Sequence, residues 1–117
     1  MRLRPEPHVT VLACYCTCPD AASAERLARA LVEERLAACV SLLPGVRSLY
    51  RWQGALEQAD EVLLLVKTTR ARLDALAARV HALHPYELPE LIAVEATGGL
   101  PGYLDWVAAE TRPADGA

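Results

Sequence analysis

The chain of 117 residues has no phenylalanine, no asparagine and a single lysine, Lys67. Without asparagine there is no N-glycosylation acceptor and no Cys-His-Asn triad. Positive charge is carried by arginines spread along the chain, and the formal net charge is −3. No basic block or face stands out, which excludes a generic polyanion or nucleic-acid binder. Long apolar runs are missing too. The longest uninterrupted aliphatic stretch is Val62-Leu63-Leu64-Leu65-Val66, whereas a membrane-spanning helix needs about 18 apolar residues or more. The N-terminal residues 1–8 begin with basic character but lack an apolar h-region, so no signal peptide is read. These absences describe a soluble, cytoplasmic chain with no membrane partner.

What is present is enough for a core. Hydrophobic residues make up 53% of the chain and charged ones 23%, and a chain of this length buries about two-thirds of its unfolded surface. One domain is expected, with its core over about 9–110 and frayed tails at 1–8 and 111–117. Four cysteines occur, at Cys14, Cys16, Cys18 and Cys39. With no export signal, metal binding, redox chemistry or simple burial come before a disulfide framework.

Val9 to Cys16 reads as a strand, and its alternating cysteines point the same way for as long as the strand continues. Pro19 is read as ending it, which assigns Cys18 to the following turn. Asp20 or Ser23 caps a helix over about Ala21–Arg35, with Ala24, Leu27, Ala28, Leu31 and Val32 on one face. A second strand runs from about Cys39 to Trp52, bent at Pro44-Gly45. After the Gln53-Gly54 turn the chain returns through Ala55–Glu61 into a third strand, Val62–Lys67. The unalternating run predicts a central strand buried on both faces. A second helix from Thr68 or Thr69 stops near His84, because Pro85 disfavours helical geometry in the residue before it. Leu91–Val94 is a fourth strand, and Pro101–Glu110 a last short helix with Pro at its start.

The order β-α-β-β-α-β plus a terminal helix is the ferredoxin-like α+β pattern, with two helices on one face of an antiparallel four-stranded sheet. The hairpin between the second and third strands is longer than a compact domain of this size needs. The other sheet face is expected to be bare. Both features predict burial by further copies of the chain.

Five motifs fall in one register: Glu34-Arg35-Leu36-Ala37-Ala38-Cys39-Val40, Ser48-Leu49-Tyr50-Arg51-Trp52-Gln53-Gly54, Val66-Lys67-Thr68, His84-Pro85-Tyr86-Glu87-Leu88-Pro89-Glu90 and Tyr103-Leu104-Asp105-Trp106. Over about Val9–Val107 the chain resembles the CutA family, the divalent-cation tolerance proteins. The resemblance implies a ferredoxin-like protomer in a homotrimer with the likeness of PII signalling proteins. It also implies a link to copper and other divalent-metal tolerance, with Cu(II) bound by some members and no catalysed reaction attached.

Candidate site residues follow from both sources. Cys16 lies in Cys16-Thr17-Cys18-Pro19, where the resemblance implies copper ligation, and thiolate is a soft ligand suited to copper or zinc. The alternative for Cys16 is a buried small hydrophobe. Cys14 and Cys18 add sulfur nearby, although C-x-C-x-C is not the C-x-x-C spacing of copper chaperones on this fold. The resemblance implies a second ligand at His84, but Leu83-His84 stands where some members have His-His. His84 is otherwise a helix C-terminal group, and His81 one turn earlier is read as structural. Glu90 is a candidate oxygen ligand, and Glu87 and Glu90 are alternatively solvated or paired with Arg51 or Lys67. Tyr50, Trp52, Lys67, Tyr86 and Glu87, together with Glu61, are candidates for an intersubunit pocket. Tyr50 and Trp52 are alternatively hairpin packing at a trimer interface. Trp106 and Cys39 are read as packing.

Two functions are carried forward. One is a homotrimeric protein that binds copper or another divalent metal without catalysis. The other is a PII-like signalling or scaffold trimer that takes a small ligand or protein partner in its clefts. An enzyme ranks last, because no nucleophile–base–orienter set and no phosphate-cradling glycine loop is visible, and the acylphosphatases of this fold need the absent asparagine.

Overall fold

The computed structural model describes residues 9–113. Its elements are β1 (Val11–Cys18), α1 (Ala21–Glu33), β2 (Cys39–Trp52), β3 (Ala55–Thr69), α2 (Arg70–Leu83), β4 (Ile92–Glu95) and α3 (Pro101–Glu110). The four strands form one antiparallel sheet in the order β2-β3-β1-β4, which is the ferredoxin-like arrangement expected from the sequence. The expected tail at 1–8, and the part of the other tail at 114–117, lie outside the described residues.

β1 lies between β3 and β4, so every second side chain meets the helices. Leu12, Cys14, Cys16 and Cys18 join Leu64 and Val66 of β3 in a core closed by Leu27 and Leu31 of α1 and Leu76 and Val80 of α2. The strand does not stop before Cys18, as Pro19 had suggested, because Cys18 still pairs with Val62. A proline pushes the residue before it toward the β region, so Pro19 prolongs extended geometry through Cys18. Asp20 then caps α1, its Oδ1 accepting the Ser23 N–H at 2.8 Å. That hydrogen bond lowers the Asp20 pKa.

The expectation that β3 is buried on both faces needs correction. Val62, Leu64 and Val66 are buried beneath the helices, whereas Leu63 and Leu65 are only half-buried. The opposite face is not wholly bare either. α3 crosses to it, and Val107 packs with Val11, Ala38, Ala96 and Leu104 in a second small core. Arg35, in the left-handed region at φ 60°, directs its guanidinium to the Ala109 and Arg112 carbonyls at 3.1 and 2.7 Å. A cation suits a helix C-terminus, where carbonyls lack intrahelical partners. Thr111, expected in a frayed tail, is instead buried, and its hydroxyl donates to the Val107 carbonyl at 2.9 Å.

The β2–β3 hairpin extends well past the sheet body, giving the protomer a long axis of 56 Å against 28 and 22 Å. At its tip Gln53 and Gly54 both have positive φ, 50° and 83°, the requirement of a two-residue type I′ turn. Pro44-Gly45 forms a bulge between Leu43 and Val46, with Gly45 at φ 80°. Leu49 and Leu56 on the arm are 67% and 72% exposed. On the sheet face away from α1 and α2, Tyr15, Leu43, Ile92 and Val94 also meet solvent in the isolated protomer.

Leu64 is fully buried between β1 and the helices. Leu64→Ala is expected to lower unfolding stability by about 2–5 kcal/mol, the usual range for emptying such a site, measured by denaturant titration. A loss below about 1 kcal/mol would mean that this core is not the one that holds the fold.

Candidate metal centre

The C-terminal end of β1 meets the C-terminal end of α2. Pro85 ends α2 by holding His84 at ψ 139°, and the imidazole turns inward to the end of β1. There His84 is buried. Its Nδ1 accepts the Tyr86 backbone N–H at 3.0 Å and its Nε2 donates to the Thr17 carbonyl at 2.7 Å. An amide N–H can only donate and a carbonyl can only accept, so the ring is the neutral Nε2–H tautomer.

Cys18 Sγ lies 3.7 Å from the same Nε2. Cys16 Sγ completes a trio with all ligand atoms within 4.8 Å of one another and all three residues buried. Both thiols cannot ionise side by side. The interaction between the two side chains raises the Cys16 pKa, with burial adding to the rise, and lowers the Cys18 pKa. Cys18 is therefore the one of the two that gives up its proton more readily.

This donor set fits a soft or borderline ion. Donors on one tetrahedral zinc ion stand roughly 3.5–3.8 Å apart, close to the Cys18–His84 spacing of 3.7 Å. Ligation through Nε2 requires that the ring give up its proton and the Thr17 carbonyl.

Of the residues singled out in the sequence, Cys16 and His84 come together here, and Cys18 joins them from the position read as a turn. The signal for Cys18 was present in the i, i+2, i+4 spacing of Cys14, Cys16 and Cys18. Cys14 is buried in the same core but outside the trio, and Cys39 stands apart at the start of β2. His81 is exposed while His84 is buried, so H-x-x-H does not form a pair. Glu90 approaches from the loop before β4, where the Thr17 hydroxyl donates to its carboxylate at 3.4 Å.

Beside the trio, a cavity of about 720 Å³ opens between the hairpin and the 85–90 loop. Tyr50, Trp52, Tyr86, Glu87, Glu90 and Glu61 line it. Lys67, expected among them, does not. It is six residues farther along β3, a distance of about 20 Å at the usual strand rise. The Tyr86 hydroxyl donates to Glu61 Oε2 at 2.6 Å, and burial together with this bond raises the Tyr86 pKa.

Fold and site together define a ferredoxin-like protein with a projecting β-arm and a buried thiol–imidazole cluster where β1 and α2 end. The family profile of the CutA1 divalent ion tolerance protein matches residues 12–110. A divalent-cation tolerance protein CutA of Pectobacterium atrosepticum is 50% identical over 97 residues, which are 83% of this chain and 88% of that protein. The crystal structure of CutA from Xylella fastidiosa superposes with a TM-score of 0.84 at 52% identity, over 86% of this chain and 97% of that one. A CutA structure from Archaeoglobus fulgidus, described as a periplasmic divalent cation tolerance protein, gives a TM-score of 0.84 at 35% identity, over 86% and 98% of the two chains. The chain belongs to the CutA divalent ion tolerance family.

The two thiols have opposite linkage signs. The lowered pKa of Cys18 contributes stability above the unfolded thiol value of 9.0 that is lost as pH falls through the folded value. The raised pKa of Cys16 contributes stability present below 9.0 that is lost as pH rises. Cys14 is raised by burial and acts in the same direction as Cys16. With two of the three thiols raised and one lowered, urea midpoints are expected to fall between about pH 8 and pH 10, with Cys16→Ser flattening the fall. A wild-type midpoint that rises over this interval would contradict the assignment of the proton to Cys16.

Proposed function

We propose that the protein is a homotrimeric, non-catalytic divalent-cation tolerance protein that binds copper or another divalent ion through Cys16, Cys18 and His84. The observation that carries this reading is the convergence of two sulfurs and one imidazole nitrogen within 4.8 Å. Thiolate and imidazole together favour copper and zinc over magnesium or calcium. Glu90 stands at the edge of the site as a carboxylate able to draw a cation inward.

The trio is poorly arranged for nucleophilic catalysis, which supports the non-catalytic reading. A Cys–His dyad needs an unprotonated ring nitrogen facing the thiol, whereas the nitrogen next to Cys18 carries the proton and spends it on Thr17. Assembly is supported by the apolar side chains left in solvent on the arm and on one sheet face. Four free cysteines suit a reducing compartment, the cytoplasm. Among the described residues no helix is long and apolar enough to cross a membrane.

Titration with Cu(II) and with Zn(II), followed by calorimetry, is expected to show binding that Cys16→Ser and Cys18→Ser each weaken at least tenfold, about 1.4 kcal/mol. Unchanged affinity in both variants would remove the thiols from the site. Light scattering is expected to give three chains per particle, and a monodisperse monomer would overturn the assembly. If unfolding is reversible, the melting temperature of the trimer should rise with protein concentration.

A further inference from the structure

The cavity beside the thiol–imidazole trio has a chemistry of its own. Its lining includes three carboxylates, Glu61, Glu87 and Glu90, and three aromatic rings, Tyr50, Trp52 and Tyr86, and among the described residues no lysine, arginine or histidine. Glu61 is the inner carboxylate and only 7% exposed. Its partner is the Tyr86 hydroxyl, a neutral donor, and no cationic side chain among the described residues forms an ion pair with it. A cation is the complementary partner for a buried carboxylate, and the lining offers three carboxylates to one.

The arrangement also selects the kind of cation. Among the described residues only Cys16, Cys18 and His84 bring three ligand atoms together, so the carboxylates do not converge on a single point as a metal ion requires. Glu61 lies inside while Glu87 and Glu90 stand exposed at the rim. Leu49 and Leu88 join the aromatic rings to make an apolar passage. Faces of tryptophan and tyrosine attract ammonium groups. Positive ends separated by a short apolar chain match this sequence of surfaces.

We propose that the cavity binds a linear aliphatic di- or polyamine, with one ammonium hydrogen-bonded to Glu61, the methylene chain against Trp52 and Tyr50, and a second ammonium at Glu87. The site is separate from the metal trio, and its occupation does not require metal.

The test is calorimetry on metal-free protein, prepared by dialysis against a chelator, with 1,4-diaminobutane and spermidine as probes and 1,4-butanediol as the uncharged control. Saturable binding of the amines without binding of the diol is expected. Glu61→Gln and Trp52→Ala should each weaken it at least tenfold, and Glu87→Gln by less. Circular dichroism verifies the fold of each variant, and if Glu61→Gln does not fold, Trp52→Ala and Glu87→Gln decide. No saturable heat would overturn the proposal, as expected if a cationic side chain of a second copy fills the cavity. Equal binding of the diol, or unchanged binding in folded Glu61→Gln and Trp52→Ala, would do so as well.

Discussion

The two hydrogen bonds of the His84 imidazole are the constraint on which the rest of this end of the molecule depends. One ring nitrogen is held by the Tyr86 N–H and the other by the Thr17 carbonyl, so a single side chain ties the end of α2, the loop after it and the end of β1 together. Tyr86 is thereby placed where its hydroxyl reaches Glu61 on β3. Loss of the ring would take a partner from the buried Thr17 carbonyl, a cost of about 1–3 kcal/mol, and another from the part-buried Tyr86 amide. The thiols and the cavity are two sides of this one joint. Cys16 and Cys18 point beneath it into the helix-covered core, and Glu61, Trp52 and Glu87 line the opening beside it.

The architecture was largely legible in the residues because local signals and global packing agree. Element order, the Asp20 cap, the stop before Pro85, the Gln53-Gly54 turn and the bounds of α3 each rest on a backbone rule that tertiary contacts do not override. The departures have physical causes. Pro19 acts on the residue before it and favours β geometry there, so Cys18 belongs to the strand. The run Val62–Val66 gives no sign that one face is only half covered, because an apolar strand can be buried by its own chain or by another. Nothing local in α3 reveals which side of the sheet it occupies. That depends on Val11 and Ala38 receiving Val107, and on Arg35 reaching the helix end.

The site was legible in part for the same reason. Period-2 spacing announces that three cysteines share a face, but it does not say which of them meets an imidazole from 66 residues away. Cys14 is two residues from Cys16 on the same face, yet lies too far along the strand to reach His84. Lys67 illustrates the reverse problem. It sits in a motif beside other candidate residues and on the same strand as Glu61, but strand rise carries it away from them. Spacing along a chain assigns the face of a strand well and distance across the fold poorly.

The burial of the cysteines bears on their reactivity as well as their placement. Cys14, Cys16 and Cys18 are all 0% exposed, so a peroxide or an alkylating reagent reaches them only when the joint at His84 opens. Their modification is therefore paced by how often that region breathes, and adding more reagent beyond a point does not hasten it. The lowered pKa of Cys18, which on an open surface would favour oxidation, is kept latent by the packing around it.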